Sequence, residues 1–175
     1  MKTGPLRVRR GVSGPSRPDA LLARLRGPWR VAVAEASMTP SINAGDWLLV
    51  DPTAARWPRR GSVVVFREPG SGVLAVKRVA GRPGDWVPFA GSYLQLADDE
   101  AWLLSDATDD DVAALGFGGV VDSRRYGPVP VTALVGRVWF RYAPLARLGK
   151  MPGRPRRWFA VPRRATGRAR RVWRV

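Results

Sequence analysis

The sequence predicts an all-β (β-dominated) domain, and three observations support this prediction. Short apolar runs recur between residues 46 and 142, and they are separated by turn residues such as Gly, Pro and Asp. The 175 residues include 19 Gly and 16 Pro, a composition that favours many turns over long helices. A hydrophobic content of 45% is enough to form a core in one domain of this length.

Seven segments are predicted as strands because they are rich in Val, Leu, Trp and Phe: Asp46–Asp51, Ser62–Arg67, Val73–Ala80, Asp85–Phe89, Ser92–Ala97, Ala101–Ser105 and Leu134–Tyr142. Residues 106–120 are acidic and then rich in Gly, so we expect an exposed loop there. The segment after Tyr142 has neither helical nor strand periodicity, and we expect it to lie outside the core.

The basic residues are concentrated at the two ends of the chain. Residues 1–30 hold eight Lys/Arg and one Asp, whereas residues 147–175 hold eleven Lys/Arg and no acidic residue. Of the total net charge of +16, residues 31–146 therefore contribute −2. We predict a flexible basic arm over residues 1–30, a folded domain over 31–146, and an Arg/Pro/Trp-rich tail over 147–175.

The absence of Cys and His excludes several kinds of chemistry. Without Cys the chain can form no disulfide and has no thiol nucleophile. Without His it cannot contain a Ser-His-Asp triad or an imidazole metal site. The acidic runs 98–100 and 109–111 lack the ligand spacing of a metal site, so we predict neither a metal nor a cofactor. Any general base must be Lys, Asp, Glu or Tyr.

Lys77 is the candidate for that base. The chain has 30 basic residues but only three are lysines, and Lys77 is at the centre of an apolar predicted strand. Arginine keeps its proton in proteins, whereas a lysine removed from water can lose it. A neutral amine in an apolar setting can accept the proton of a serine hydroxyl, so no histidine is needed.

Ser37 is the candidate for the nucleophile. It precedes Met38-Thr39-Pro40, and proline restricts both its own φ and the conformation of Thr39. We therefore expect Ser37 to be presented from a rigid, extended turn that a substrate carbonyl can reach.

Four short motifs follow one another along the chain. They are Ser37-Met38-Thr39-Pro40 with Gly45-Asp46, a Val-rich strand after Arg60-Gly61, Lys77-Arg78-Val79-Ala80-Gly81-Arg82-Pro83-Gly84-Asp85, and Asp122-Ser123-Arg124-Arg125-Tyr126-Gly127-Pro128-Val129. In this order they resemble the motifs of the type I signal peptidases, a family that includes mitochondrial inner membrane proteases and nickel-type superoxide dismutase maturation proteases. The resemblance covers about residues 34–142.

The resemblance implies a catalytic domain of short, twisted antiparallel sheets, with Ser37 as the nucleophile and Lys77 as the general base. The backbone N–H of Ser37 would contribute to the oxyanion hole. The resemblance also implies small substrate side chains at the first and third positions before the cut. The remaining implied roles are substrate binding by Met38 and Pro40 and structural support by Arg78, Asp122, Ser123 and Arg124.

Some positions depart from the family pattern. Glu35 stands where many members have Ser or Gly, two positions before the nucleophile. Val120 stands where many members have a serine that orients the lysine. The family's Gly-Asp-Asn segment is found here as Ser105-Asp106-Ala107.

We therefore expect an endopeptidase that removes leaders or signal peptides from precursor polypeptides. Alternatives are a soluble maturation protease of the nickel-type superoxide dismutase kind, an inactive binding module, and a self-cleaving repressor-like DNA binder. No transmembrane span or secretory signal is found in the sequence, so we expect a peripheral membrane or cytoplasmic location. Arg156-Arg157-Trp158-Phe159 in the tail suits an anionic membrane surface, and nucleic acid is not the expected partner.

Overall fold

The computed structural model describes residues 27–116 and 118–151, and strands dominate this part of the chain. Its strands are β1 (Trp29–Ala32), β2 (Trp47–Asp51), β3 (Val63–Arg67), β4 (Leu74–Gly81), β5 (Trp86–Phe89), β6 (Ser92–Gln95), β7 (Glu100–Leu104), β8 (Val129–Pro130), β9 (Leu134–Ala143) and β10 (Gly149–Lys150). The helices are α1 (Asp109–Ala113) and α2 (Ser123–Tyr126), with 3₁₀ turns at Val131–Ala133 and Leu145–Arg147.

The β-dominated prediction is confirmed, and the seven predicted strands correspond to β2–β7 and β9. The sequence did not predict β1, β8 or β10, which are only two to four residues long and lie within Pro- and Arg-rich sequence. Each of them forms along a longer neighbour, β2, β7 or β9. Most of the predicted basic arm and tail, residues 1–26 and 152–175, lies outside the described residues.

The expectation of an exposed loop over residues 106–120 is wrong in part. Thr108 and Asp111 form a reciprocal capping box that starts α1. The helix buries Val112, which packs in a small apolar cluster with Ala36, Ala107 and Val120. Because the acidic residues of α1 occupy its first turn, they favour the helix start rather than a loop.

The main sheet is antiparallel, with the order β1-β2-β9-β3-β4-β7-β8, and β10 pairs with β9. Irregular pairing interrupts the β2–β9, β3–β9 and β4–β7 ladders, and such bulges bend a sheet. The long strand β9 approaches β2 closely at Gly136. A Cβ there would lie 2.6 Å from the backbone oxygen of Asp51, so only glycine fits. The β5–β6 hairpin forms a separate two-stranded sheet.

Apolar residues cover both faces of the main sheet. The alternating residues of β3 are buried on both sides: Val63 and Val65 pack in one cluster, and Val64 and Phe66 in another. A third cluster lies where the β5–β6 hairpin packs over Trp102. Strand β4 lies between β3 and β7, and its residues from Lys77 to Gly81 are buried.

The loop that joins β1 to β2 is held by Asp46, which is 1% exposed. Its carboxylate accepts a hydrogen bond of 2.9 Å from the backbone N–H of Asn43. It also forms ion pairs of 3.0 Å with Arg141 of β9 and with Arg147. Arg141 donates a further hydrogen bond of 2.8 Å to the backbone oxygen of Ser41. The Gly45-Asp46 motif therefore attaches this loop to the central strand.

We expect Asp46→Asn to lower the free energy of unfolding by about 3 kcal/mol, because it leaves the buried guanidinium of Arg141 without its carboxylate. Urea denaturation of the variant and of wild type would measure the loss. Asp98→Asn is the matched control, since Asp98 is exposed and the change should stay within about 0.5 kcal/mol. Equal losses in the two variants would contradict the role assigned to Asp46.

Candidate active site

Ser37 lies in a tight turn between β1 and β2. The turn is closed by backbone hydrogen bonds of 2.9 Å from Thr39 to Ala36 and from Ile42 to Met38. The Met38 side chain is 1% exposed and anchors the turn in the core. Any contact of Met38 with a substrate would therefore have to come from its backbone. Pro40, joined to Thr39 by a cis peptide, is exposed, and Ser37 itself is partly exposed.

Lys77 lies near the middle of β4, opposite Val64 of β3, and is 3% exposed. Its Nζ is 2.6 Å from Oγ of Ser37, a hydrogen-bonding distance. The structure thus brings together two predicted residues that are 40 positions apart in the sequence. Among the described residues, the backbone N–H of Ser37 donates no hydrogen bond.

Burial lowers the pKa of Lys77 below its ordinary value, because removal from water disfavours the ammonium form. The carboxylates of Glu35, Asp122, Glu68 and Asp106 act in the opposite direction, and burial outweighs them. These acidic residues are distant from Lys77 in sequence, so their influence arises only in the folded chain. The net effect makes loss of the Lys77 proton, beside a serine hydroxyl, easier than it is for a lysine in water.

Arg78 points away from Lys77 and is fully buried. It forms a buried ion pair with Asp106, with Nε 2.8 Å from Oδ1, and it donates a hydrogen bond of 2.9 Å to the backbone oxygen of Gly61. The backbone N–H of Ala107, the next residue, donates to the backbone oxygen of Ser37 at 3.2 Å. The Arg78–Asp106 pair therefore positions a segment that contacts the serine turn directly.

Asp106 is a site residue that the sequence analysis did not include among the candidates. The available signal was the motif Ser105-Asp106-Ala107, in which the central aspartate of the family pattern is retained although both neighbours differ. Its partner could not be identified from the sequence, because Arg78 is 28 positions away and many other arginines were available.

The Asp122-Ser123-Arg124 motif lies behind β7. The carboxylate of Asp122 forms an ion pair of 2.8 Å with Arg124 and accepts a hydrogen bond of 3.1 Å from the backbone N–H of Ser105. Ser123 Oγ accepts a hydrogen bond of 2.9 Å from the backbone N–H of Leu103. Burial raises the pKa of Asp122, but hydrogen bonds from Arg124 and Ser105 outweigh it and hold the pKa below its ordinary value. The motif fixes the end of β7, the strand beside β4.

The two departures from the family pattern lie close to the serine turn. Glu35 is exposed and is one of the carboxylates that oppose the loss of the Lys77 proton. Val120 is 3% exposed and packs with Ala36, Ala107 and Val112. Val120 therefore contributes an apolar wall beside the turn in place of a hydroxyl.

The fold and the contact between a buried lysine and a serine, in a chain without histidine, define a serine-type endopeptidase of the Ser/Lys class. The chain belongs to the signal peptidase family: the family profile described as "Signal peptidase, peptidase S26" matches residues 20–111. It is a signal-peptidase-like endopeptidase that processes precursor proteins.

Curated relatives agree with this assignment. The chain is 30% identical over 152 residues to signal peptidase I of Leptolyngbya laminosa, which covers 70% of this chain and 75% of the relative. It is also 30% identical over 123 residues to the mitochondrial ATP-independent inner membrane protease subunit 1b of Arabidopsis thaliana, covering 68% of this chain and 72% of the relative. A third relative is mitochondrial inner membrane protease subunit 1 of Xenopus tropicalis, 30% identical over 128 residues, with coverage of 68% and 71%. None of the helices formed by residues 27–116 and 118–151 is long and apolar enough to cross a bilayer.

We expect Lys77→Met to raise the free energy of unfolding at pH 7. In the unfolded chain the pKa of Lys77 is about 10.4, and in the folded chain burial lowers it, so folding at pH 7 works against the protonated lysine. The stability of wild type should therefore rise with pH, by up to about 1.4 kcal/mol per pH unit between the folded and unfolded pKa values. The difference in free energy of unfolding between Lys77→Met and wild type should therefore shrink as the pH rises from the folded to the unfolded pKa of Lys77.

The measurement is urea denaturation of both proteins from pH 7 to pH 10.5. Lys150→Met is the matched control, because Lys150 is exposed in β10 and the same substitution there removes no buried amine. If the difference in free energy of unfolding between Lys77→Met and wild type stays constant from pH 7 to pH 10.5, folding does not lower the pKa of Lys77.

Proposed function

We propose that Ser37 is the nucleophile and Lys77 the general base of this endopeptidase. The observation that carries the proposal is the distance of 2.6 Å between Lys77 Nζ and Ser37 Oγ. The burial of Lys77 supports it, because only the neutral amine can take a proton. The partial exposure of Ser37 supports it as well, since a substrate carbonyl must reach Oγ.

In acylation, the Lys77 amine removes the hydroxyl proton of Ser37 while Oγ attacks the scissile carbonyl carbon. The backbone N–H of Ser37, which has no acceptor among the described residues, is available to the developing oxyanion. The Lys77 ammonium then gives its proton to the leaving amine as the C–N bond breaks. This leaves an acyl-enzyme ester on Ser37 and a neutral lysine.

In deacylation, Lys77 takes a proton from a water molecule, whose oxygen attacks the ester carbonyl. The proton returns to Oγ as the ester bond breaks, which restores Ser37 and releases the new carboxyl terminus. Each half-reaction begins with a neutral Lys77, so the burial that lowers its pKa serves both. The substrate is a precursor polypeptide with small side chains at the first and third positions before the cut.

We also propose that the basic C-terminal tail, residues 147–175, binds a membrane surface. The support comes from the sequence of the tail, which combines Arg156-Arg157-Trp158-Phe159 with Arg170-Arg171-Val172-Trp173-Arg174. Arginine with interfacial aromatics favours an anionic lipid surface. This tail would hold the enzyme at the surface where precursors emerge, as a peripheral protein.

We expect Ser37→Ala and Lys77→Ala each to lower kcat/KM by on the order of 10⁴-fold or more, and the double variant to be no worse than either. The two residues act as a unit, so removal of one already abolishes the chemistry. The substrate is a fluorogenic peptide with Ala at the first and third positions before the cut. A serine-directed phosphonofluoridate should label wild type and not Ser37→Ala.

Lys77→Arg tests the base role specifically, because guanidinium keeps the charge but cannot give up its proton. It should be inactive, whereas Lys150→Arg, a conservative change at an exposed lysine, should be fully active. The wild-type rate should rise with pH along a limb well below 10.4. A folded Lys77→Arg variant with substantial activity would mean that Lys77 is not the base.

Replacement of Arg156, Arg157, Arg170, Arg171 and Arg174 by Gln in the full chain should weaken binding to phosphatidylserine vesicles at least tenfold. Each basic residue near such a surface contributes about 1 kcal/mol. The effect should shrink at high salt, and phosphatidylcholine vesicles serve as the control. Equal vesicle binding by the variant, or tighter binding of wild type to a DNA duplex, would argue against a membrane role.

A further inference from the structure

Ser105, at the end of β7, has a buried hydroxyl that the fold does not use. The residue is 6% exposed, and its Oγ has no hydrogen-bond partner among the described residues. A buried hydroxyl normally has a partner, so one without a partner points to a role outside the static packing. The backbone of Ser105 is held in place separately, since its N–H donates to Asp122 at 3.1 Å.

The strand register places Ser105 beside Lys77. Arg78 pairs with Leu104 and Val79 with Leu103 in the antiparallel β4–β7 ladder. Continuing this register by one residue places Ser105 opposite Lys77. Directly opposite residues share a face of the sheet, so both side chains project to the same side.

Lys77 and Ser105 would form a non-hydrogen-bonded pair, the type of antiparallel pair in which side chains are closest. The N–H groups of Leu103 and Ser105 donate to Ser123 and Asp122, so they point away from β4. The ladder hydrogen bonds to β4 therefore involve Leu104, and the flanking pair is not hydrogen-bonded. In such pairs the Cα atoms lie about 4.5 Å apart, which brings the side chains near each other.

The amine of Lys77 has an incomplete set of partners. Its only hydrogen bond to a described residue is with Ser37 Oγ. A neutral amine has one lone pair and two N–H groups, and the lone pair must face Oγ if Lys77 is to take the proton. Contact with Ser37 is satisfied either by an N–H donated to Oγ or by the lone pair facing Oγ, so a second acceptor for an N–H favours the orientation in which the lone pair faces Oγ.

We propose that Ser105 is a positioning residue whose Oγ accepts an N–H from Lys77 Nζ and thereby aims the lysine lone pair at Ser37. This inference rests on the proposed roles of Ser37 and Lys77. The proposal requires a change of the Ser105 χ1 rotamer, since Oγ has no hydrogen-bond partner in its present orientation. The same segment contacts the serine turn through Ala107, so Ser37, Lys77 and Ser105 are held by one short stretch of chain.

The charges that act on Lys77 make the proposal testable by pH. They are the carboxylates of Glu35 before the serine turn, Glu68 after β3, Asp106 after β7 and Asp122 at the start of α2. Asp106 is paired with Arg78 and Asp122 with Arg124. An oxygen that accepts from Nζ binds the ammonium more strongly than the amine, so it adds to their effect.

The experiment compares kcat, KM and the pH dependence of kcat/KM for wild type and Ser105→Ala in the full chain, with the fluorogenic peptide described above. The variant should lose about tenfold in kcat with little change in KM, because a base of wrong orientation transfers the proton poorly. The acidic limb of the pH dependence of kcat/KM should move to lower pH, because the variant lacks the Ser105 oxygen that would stabilise the Lys77 ammonium. Ser105→Thr, which keeps the hydroxyl, should restore most of the activity.

Tyr126→Phe is the matched control, since it deletes another buried hydroxyl, one that lies on α2 and not on β7. Tyr126→Phe should leave kcat and the acidic limb of the kcat/KM profile unchanged. Unchanged kcat in Ser105→Ala, a limb that moves to higher pH, or a loss confined to Tyr126→Phe would overturn the role of Ser105. Thermal unfolding of each variant shows whether it is folded. If wild type neither cleaves the peptide nor reacts with the phosphonofluoridate, the proposed function fails, and this inference fails with it.

Discussion

The burial of one amine, that of Lys77, is the constraint on which the rest of the structure depends. A lysine in water carries its proton at neutral pH, and only exclusion of water makes the neutral form accessible. Lys77 is 3% exposed and lies on β4, which pairs with β3 on one side and β7 on the other. The serine turn then covers the amine, with Oγ at 2.6 Å. The sheet and the serine turn together exclude water from this one nitrogen, and the proposed chemistry depends on that exclusion.

Three buried carboxylates hold the segments that surround this amine. Asp46 fastens the serine turn to Arg141 of β9, Asp106 fastens the segment after β7 to Arg78 of β4, and Asp122 fixes the end of β7 through Ser105. Each carboxylate is more than nine-tenths buried or lies in a fully buried ion pair, where loss of one partner is costly. The aspartates of the short sequence motifs therefore join neighbouring segments of the chain by ion pairs and hydrogen bonds, and these contacts position Ser37 and Lys77.

The membership of the signal peptidase family explains why these attachments are recognisable at about 30% identity. The chain also differs from the pattern close to the site. Val120 packs with Ala36 in an apolar cluster where a hydroxyl was expected, and the buried hydroxyl of Ser105 lies at the end of β7, the strand that pairs with β4. A polar group that assists a buried amine can be supplied from any strand that faces it, so its position in the sequence is free to change.

The sequence by itself determined the strand-rich fold, because Val- and Leu-rich runs between turn residues are a local signal. It also singled out Lys77, because the absence of histidine and the scarcity of lysine are properties of composition, and Ser37, because the motif Ser37-Met38-Thr39-Pro40 is local and resembles that of a known family. It missed β10 and the partner of Asp106, since a two-residue strand and an ion pair across 28 positions have no local signal. Only the tertiary structure decided which carboxylates reach Lys77 and which strands lie beside it, because strand register depends on pairing between segments distant in the chain.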